Sequence, residues 1–377
     1  MSSAIDISRF ADVIWSDVRL RHQCLPGLDA RVLLHAGPPI FGPMPQPIRH
    51  AAAQAILFEG AARDMAAALS LLDDGTYILQ PAQDADVVTP LAQVVSHSMP
   101  LAVVRTDGLT AYGALVEGGP PALRFGTIGV DIVARLAILT AVACDMIAPA
   151  LRQRPLPLAD VVQYALANGD ECHARTGMAN LRLLARLAQP PGTLEEAARA
   201  FVADNPGFAL PVLMAAAKVV LLGAGAGMIH SVGGNGVSFG IRLQGETRWR
   251  TIAAAPPVGT RFAGDADSIA LGAIGDSAVI DYAGLGAQAL TVAPELGKEW
   301  AHLLSADPQE RRAAIIDPVS GLVSPARIRA SGQVPLVNLA LVEHAGVQGL
   351  IGRGFYTPDA DALAAALDPA TAPAATS

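Results

Sequence analysis

The sequence predicts an α+β protein with two irregular α/β lobes and a small helical domain between them. Three observations carry this reading. Short strand signals alternate with long alanine-rich helical patterns, but never with the even strand–helix–strand spacing of a doubly wound sheet. The stretch from Leu158 to about Asp204 is helical throughout and follows the two prolines of "RQRPLPLAD". Past the glycines at 223–227 the chain becomes strand-rich. These changes place an N-terminal lobe at 1–152, a helical domain at 153–206, a C-terminal lobe at 207–366 and a disordered tail at 367–377.

In the first lobe, "RVLLHAGPPI" reads as a buried strand running into a proline-locked turn. A helical pattern follows from about Gln46, with a break near Gly60 and a stop at Gly75. "LAVVRTDGLTAYGALVEGG" reads as a hairpin about an Asp-Gly turn, and a helix runs from Gly129 to about Leu151. The helical domain holds "LADVVQYALANGD", "ARTGMANLRLLARLAQ" and "TLEEAARAFVADN", after which "PGFALPVLMAAAKVV" opens another long helix. In the last lobe, "GVSFGIRLQG", "RWRTIAAAPPVGTRF" and "QVPLVNLALVEH" read as strands, and "GDSAVIDYAGLGAQAL" as a strand or loop feeding a helix.

A chain of 377 residues exceeds one compact core, and 52% hydrophobic with 16% charged residues excludes a disordered composition. The apolar surplus points to surface buried between subunits, so an oligomer is expected. A net charge of −8 with scattered lysine and arginine argues against nucleic acid. Three widely spaced cysteines without a CxxC pair support neither disulfides nor structural zinc and suit a reducing cytoplasm. The N-terminus lacks the basic start and apolar run of a signal peptide. The two most apolar stretches carry Asp131, Arg135, Asp145 and Lys218, charges costly in lipid, so buried helices and no membrane span are expected.

The densest polar segment is "NGDECHARTG". If helical, it puts Asp170 three residues from His173 and Glu171 four from Arg175, so each pair shares a face. Asp170 could then orient His173 for acid–base work, or the two could hold a metal. The plainer alternative is a helix start capped by Asp170, with Glu171 paired to Arg175. "LLHAGPPI" sets His35 at a strand end, placed to polarise a carbonyl. "GGNGVSFGIR" offers Asn235, Gly236 and Arg242 as donors for a carboxylate or phosphate. "IGDSAVID" adds Asp276 and Ser277, and "EHAGVQGLIGRG" adds His344, Gln348 and Arg353. No P-loop, GxGxxG or GxSxG is present, so neither a nucleotide cofactor nor a serine hydrolase is supported, and no cofactor or metal is expected.

From about residue 30 to 365, the windows "LLHAGPPI", "ILFEG", "VVSHSMPL", "LRFG", "GDECHAR", "NGVSFGIR", "GDSA" and "VNLALVEHAGVQGLIGRG", in this order, resemble the YlbE-like family. One branch, the AllG type, is a subunit of oxamate carbamoyltransferase encoded beside an FdrA-like partner. The resemblance implies carbamoyl chemistry on a small anionic amide or ureide, in a homo-oligomer or a complex with an FdrA-like subunit. Read against that chemistry, Arg242 and the "GGNG" backbone would hold an anionic group. His35 or His173 would polarise or transfer a proton, and Asp170 and Glu171 would orient the histidine or the amide. The chain departs from its relatives at "PAQDADVVTPLAQ", where Gln83 and Asp84 replace expected imidazoles and Thr89-Pro90-Leu91 replaces a glycine turn. A metal-dependent amide or ureide hydrolase using Asp170, Glu171 and His173, and a non-catalytic subunit, are the alternatives.

Overall fold

The computed structural model describes residues 5–189 and 194–368, so the expected tail lies outside them from residue 369 onward. The fold is α+β. Its strands, in chain order, are β1 Ile14–Leu20, β2 Val32–His35, β3 Ile78–Pro81, β4 Val87–Val88, β5 Pro100–Thr106, β6 Leu109–Ala114 and β7 Leu156–Pro157. They continue as β8 Ile229–Asn235, β9 Ser238–Leu243, β10 Arg250–Ala253, β11 Val258–Arg261, β12 Ile274–Gly275, β13 Val337–Val342 and β14 Leu350–Tyr356. The first sheet runs β4-β6-β5-β1-β7, the second β10-β9-β8-β12, the third β11-β14-β13, and β2 pairs β3 in parallel.

The expected hairpin is β5–β6, closing at Thr106↔Leu109 around Asp107-Gly108, where Gly108 has a φ of +83° that a β-carbon would resist. Helix Ala209–Leu222 packs on this hairpin. A β-carbon at Gly113 of β6 would lie 2.1 Å from the Pro211 carbonyl oxygen, so the helix comes this close only because that position is glycine. The helix is buried along most of its length, as its apolar pattern requires, and Lys218 is buried with it. One continuous apolar core takes residues from all three expected segments, for example Leu33, Leu183 and Phe239.

Helix Ile132–Gln153 is different. It has the length and composition to cross a membrane, yet only 39% of its most apolar window is buried. Leu136 and Leu139 face the core, while Ala134, Ala137, Ile138 and Ala141 are exposed. The expectation of a fully buried helix therefore holds for Ala209–Leu222 and only for one face here.

Candidate active site

Two polar hubs meet at the adjacent residues Asp276 and Ser277, just after β12. The first closes around Asp276. Its Oδ1 accepts Gly37 N at 2.9 Å and Gln83 Nε2 at 2.6 Å, and its Oδ2 accepts Thr89 N at 3.0 Å and Thr89 Oγ1 at 3.3 Å. Burial pushes this carboxyl up to about 7, against the pull of those donors and of Lys218. The "LLHAGPP" turn presses on "GGNG": Gly37 has a φ of +75°, and a β-carbon there would meet Gly234 C at 2.4 Å. The Asn235 Nδ2 donates to Pro38 O and Pro39 O, and its Oδ1 accepts Val237 N and Ser238 N. Arg242 bonds Asp84 at 2.9 Å, Gln83 O at 3.0 Å and Ser231 Oγ at 3.1 Å, and stacks on Trp249. Lys218, wholly buried, donates to His230 O and Ser231 Oγ.

The second hub gathers around His173. "NGDECHARTG" is not a helix. Helix Leu158–Ala167 ends at Asn168, Gly169 turns with a φ of +80°, and Cys172 holds a φ of +73° before the next helix, Gly177–Leu187. The segment stays irregular because its two carboxylates collect the backbone donors of the turns. Asp170 accepts Cys172 N, Met178 N and Ala179 N, and so caps the following helix. Glu171 accepts Ala174 N and Arg175 N, along with Asn338 Nδ2 at 2.8 Å. Burial raises both carboxyls above their ordinary values.

The group that orients His173 is therefore Asp281, not Asp170. His173 Nδ1 lies 2.7 Å from Asp281 Oδ2, and Asp281 Oδ1 accepts Ala287 N at 2.7 Å and Asn338 N at 3.2 Å. The carboxylate fixes the proton on Nδ1, which leaves Nε2 as an acceptor with no partner among the described residues. Glu171 does not pair with the Arg175 side chain, because its oxygens are taken by backbone N–H groups and by Asn338.

His173 lines two adjoining cavities. The inner one, of about 120 Å³, includes Leu91, Ser277, Asn338 and Arg353. The outer one, of about 540 Å³, includes Arg124, Arg175, Asn205 and again Arg353. Among the described residues, no hydrogen bond or ion pair engages the guanidinium of Arg124, Arg175 or Arg353; Arg124 and Arg353 stack on Phe125 and Phe262. Arg124 is the telling case: it is only 9% exposed and its Nη1 is buried without a partner. Glu117 attracts it only at longer range, since that carboxylate bonds Leu123 N and faces Arg135 at 3.6 Å. Burial lowers Arg124 to about 10, so it stays a cation in want of an anion.

His35 and Arg242, expected to act on the substrate alongside or in place of His173, do not share a cavity with it. His35 is 1% exposed, bonds Ala36 O, and is held down at about 4 by burial, while Arg242 is taken by Asp84. Asn235 and Gly236 shape a closed turn, Gly236 having a φ of +89°. His344 and Gln348 are exposed at the β13–β14 turn, where Gln348 accepts Ser268 Oγ. Of the expected residues, Asp170, His173, Ser277 and Arg353 reach the cavities, and Glu171 stands behind them. Sequence reasoning missed Asp281, Asn338 and Arg124, although "VIDY", "VNLAL" and "LRFG" each show one polar residue in an apolar run. No group of three or more His, Cys, Asp or Glu side chains able to hold a metal occurs among the described residues.

Comparison with known proteins bears on this site. The profile of the family described as oxamate carbamoyltransferase subunit AllG matches residues 78–277. The AllG subunit of oxamate carbamoyltransferase from Escherichia coli (strain K12) is 30% identical over 94% of this chain and 92% of that protein. The uncharacterized protein YahG of the same strain is 29% identical over 89% of this chain and 77% of its own length. A crystal structure of a conserved protein of unknown function from Enterococcus faecalis V583 superposes with a TM-score of 0.83 at 26% identity, covering 96% of this chain and 94% of that one. A profile that matches more than half of the chain and a relative matched nearly end to end agree: the chain belongs to the family of the oxamate carbamoyltransferase subunit AllG.

Proposed function

We propose that this chain is a cytoplasmic carbamoyltransferase subunit that works on a small anionic amide or ureide of the oxamate class. It assembles with further copies or with an FdrA-like partner, and its chemistry takes place where the two cavities meet at His173. The observation that carries this reading is the His173–Asp281 pair standing beside three guanidiniums without partners. In such a reaction the amide nitrogen attacks the carbonyl carbon of carbamoyl phosphate. The new C–N bond forms, the C–O bond to phosphate breaks, and the nitrogen gives up one proton.

His173 Nε2 is the proton acceptor of that step, held in the right tautomer by Asp281. Arg124, Arg175 and Arg353 receive the phosphate and carboxylate, the function that Arg242 was expected to perform. Ser277, on the inner wall, offers a hydroxyl to the carbonyl oxygen. Asp170 and Glu171 hold the His173 turn in shape.

The test is phosphate release from carbamoyl phosphate, measured on this chain co-produced with its genomic neighbours, across a panel of oxamate, other amides and ureides. Turnover with at least one small anionic acceptor, lost in His173→Ala, is the expected result. No release with any acceptor counts against the reading.

A further inference from the structure

Asn338 is wholly buried on β13, and both of its amide ends can be assigned. Its Nδ2 donates to Glu171 Oε1 at 2.8 Å, and that same oxygen also accepts Ala174 N and Arg175 N. An oxygen receiving two backbone N–H groups acts as an acceptor, so the Asn338 amide cannot turn its own oxygen toward it. The backbone of Asn338 is pinned as well, its N–H donating to Asp281 Oδ1. What remains is Oδ1, a buried acceptor with no hydrogen-bond partner, on a residue that lines the inner cavity with His173. Buried acceptors of this kind are rare in native proteins and want a donor. The cavity, at about 120 Å³, is far larger than the space one water needs and has room for a small group.

We infer that Asn338 Oδ1 reads an N–H of the ligand, and that Glu171 is the positioning residue that keeps the asparagine amide in that orientation. The inner cavity thus selects a carboxamide or carbamoyl NH2 over a carboxylate. A carboxylate would set lone pairs against Oδ1, whose asparagine already has its Nδ2 and backbone N–H taken by the Glu171 and Asp281 carboxylates. This deepens the carbamoyl-transfer reading and rests on it for the choice of ligand, but it concerns recognition only.

Oxamate and oxalate make the test, since they are planar, nearly equal in size, and differ by an NH2 in place of an oxygen. Calorimetric titration of the full chain is expected to show oxamate binding at least about tenfold tighter, the scale on which sites built to bond a donor reject analogues lacking it. Asn338→Leu, of similar volume, brings the ratio to within about twofold, and Glu171→Gln lowers it partway by freeing the amide to turn. Independently of any variant, the amide protons of ¹⁵N-oxamate shift downfield on binding to the wild-type chain. Equal binding of the two ligands, no oxamate binding, or a ratio that survives Asn338→Leu overturns the inference. Turnover is not measured, so a chain that selects oxamate in this way without transferring carbamoyl keeps the inference and fails the functional reading.

Discussion

The two hubs are built from the same kinds of residue and differ in one respect. Around Asp276 nearly all the polar groups that bind one segment to another are answered from within: the carboxylate by four donors, Arg242 by Asp84 with only its Nε left over, and the Asn235 amide at both ends. Around His173 the carboxylates are answered, but His173 Nε2, Asn338 Oδ1 and Arg124 Nη1 have no partner among the described residues, and these three residues line the cavities. A saturated cluster ties chain segments together. An unsaturated one beside empty volume is prepared for a ligand, because groups left unpaired cost stability that only function retains. Polar density does not separate the two cases; the count of unmet partners does.

The sharpest way to break this comparison is to exchange the histidines. His173→Ala in the assembled enzyme is expected to lower kcat by roughly 10²–10⁴, the range for loss of a positioned acid–base group, with Asp281→Asn close behind through the wrong tautomer. His35→Gln, in the saturated hub, leaves kcat within a few-fold. Steady-state phosphate release checks both, and a large kcat loss from His35→Gln with none from His173→Ala would reverse the assignment.

Arginines give the next contrast. Arg242→Ala removes one donor from each of Asp84, Gln83 O and Ser231 Oγ and is expected to destabilise the fold by about 2 kcal/mol, seen as a lower urea midpoint with KM unchanged. Arg124→Gln removes a buried cation with no hydrogen bond to lose beyond its stacking on Phe125 and the distant pull of Glu117, so the urea midpoint holds or rises. Its KM for carbamoyl phosphate or the acceptor rises about tenfold, as for loss of a charge-assisted bond. An Arg242 variant with intact stability and a raised KM would merge the two hubs into one site.

This contrast also explains what the sequence could and could not tell. The hairpin at Asp107-Gly108, the helix stops at Gly60 and Gly75, and the long helix at Ala209–Leu222 were legible, because turn chemistry and apolar spacing act locally. The shape of "NGDECHARTG" was not. Its residues suit a helix surface, and partners far along the chain, Asp281 and Asn338, join the backbone donors of its own turns in holding Glu171 and His173 in an irregular conformation. Arg242 looked like an anion receiver for the same reason: Asp84, 158 positions away in sequence, is invisible to local reading. The substitutions at Gln83 and Asp84, which looked like losses, are the very groups that saturate the first hub. His173 was found because a histidine among carboxylates is conspicuous, whereas Asn338 and Arg124 gain their meaning only from what they lack.

The smallest expected effect, taken per pH unit, lies inside the closed hub. Asp276 is raised by burial from 3.8 to about 7, so the folded state binds its proton more tightly than the unfolded chain does. The stability this contributes is full below about pH 4 and is lost as pH rises toward 7. His35 runs the other way. Burial lowers it from 6.5 to about 4, so its contribution is full above 6.5 and is lost as pH falls toward 4. Over the shared window the two slopes oppose each other, each limited to about 1.4 kcal/mol per pH unit. Relative to wild type, Asp276→Asn should therefore gain stability as pH rises from 4.5 to 6.5, and His35→Gln should lose it, in urea midpoints measured at constant ionic strength. Variant profiles parallel to that of the wild type would mean that both groups titrate alike in the folded and unfolded chain, and that the hub is open to water after all.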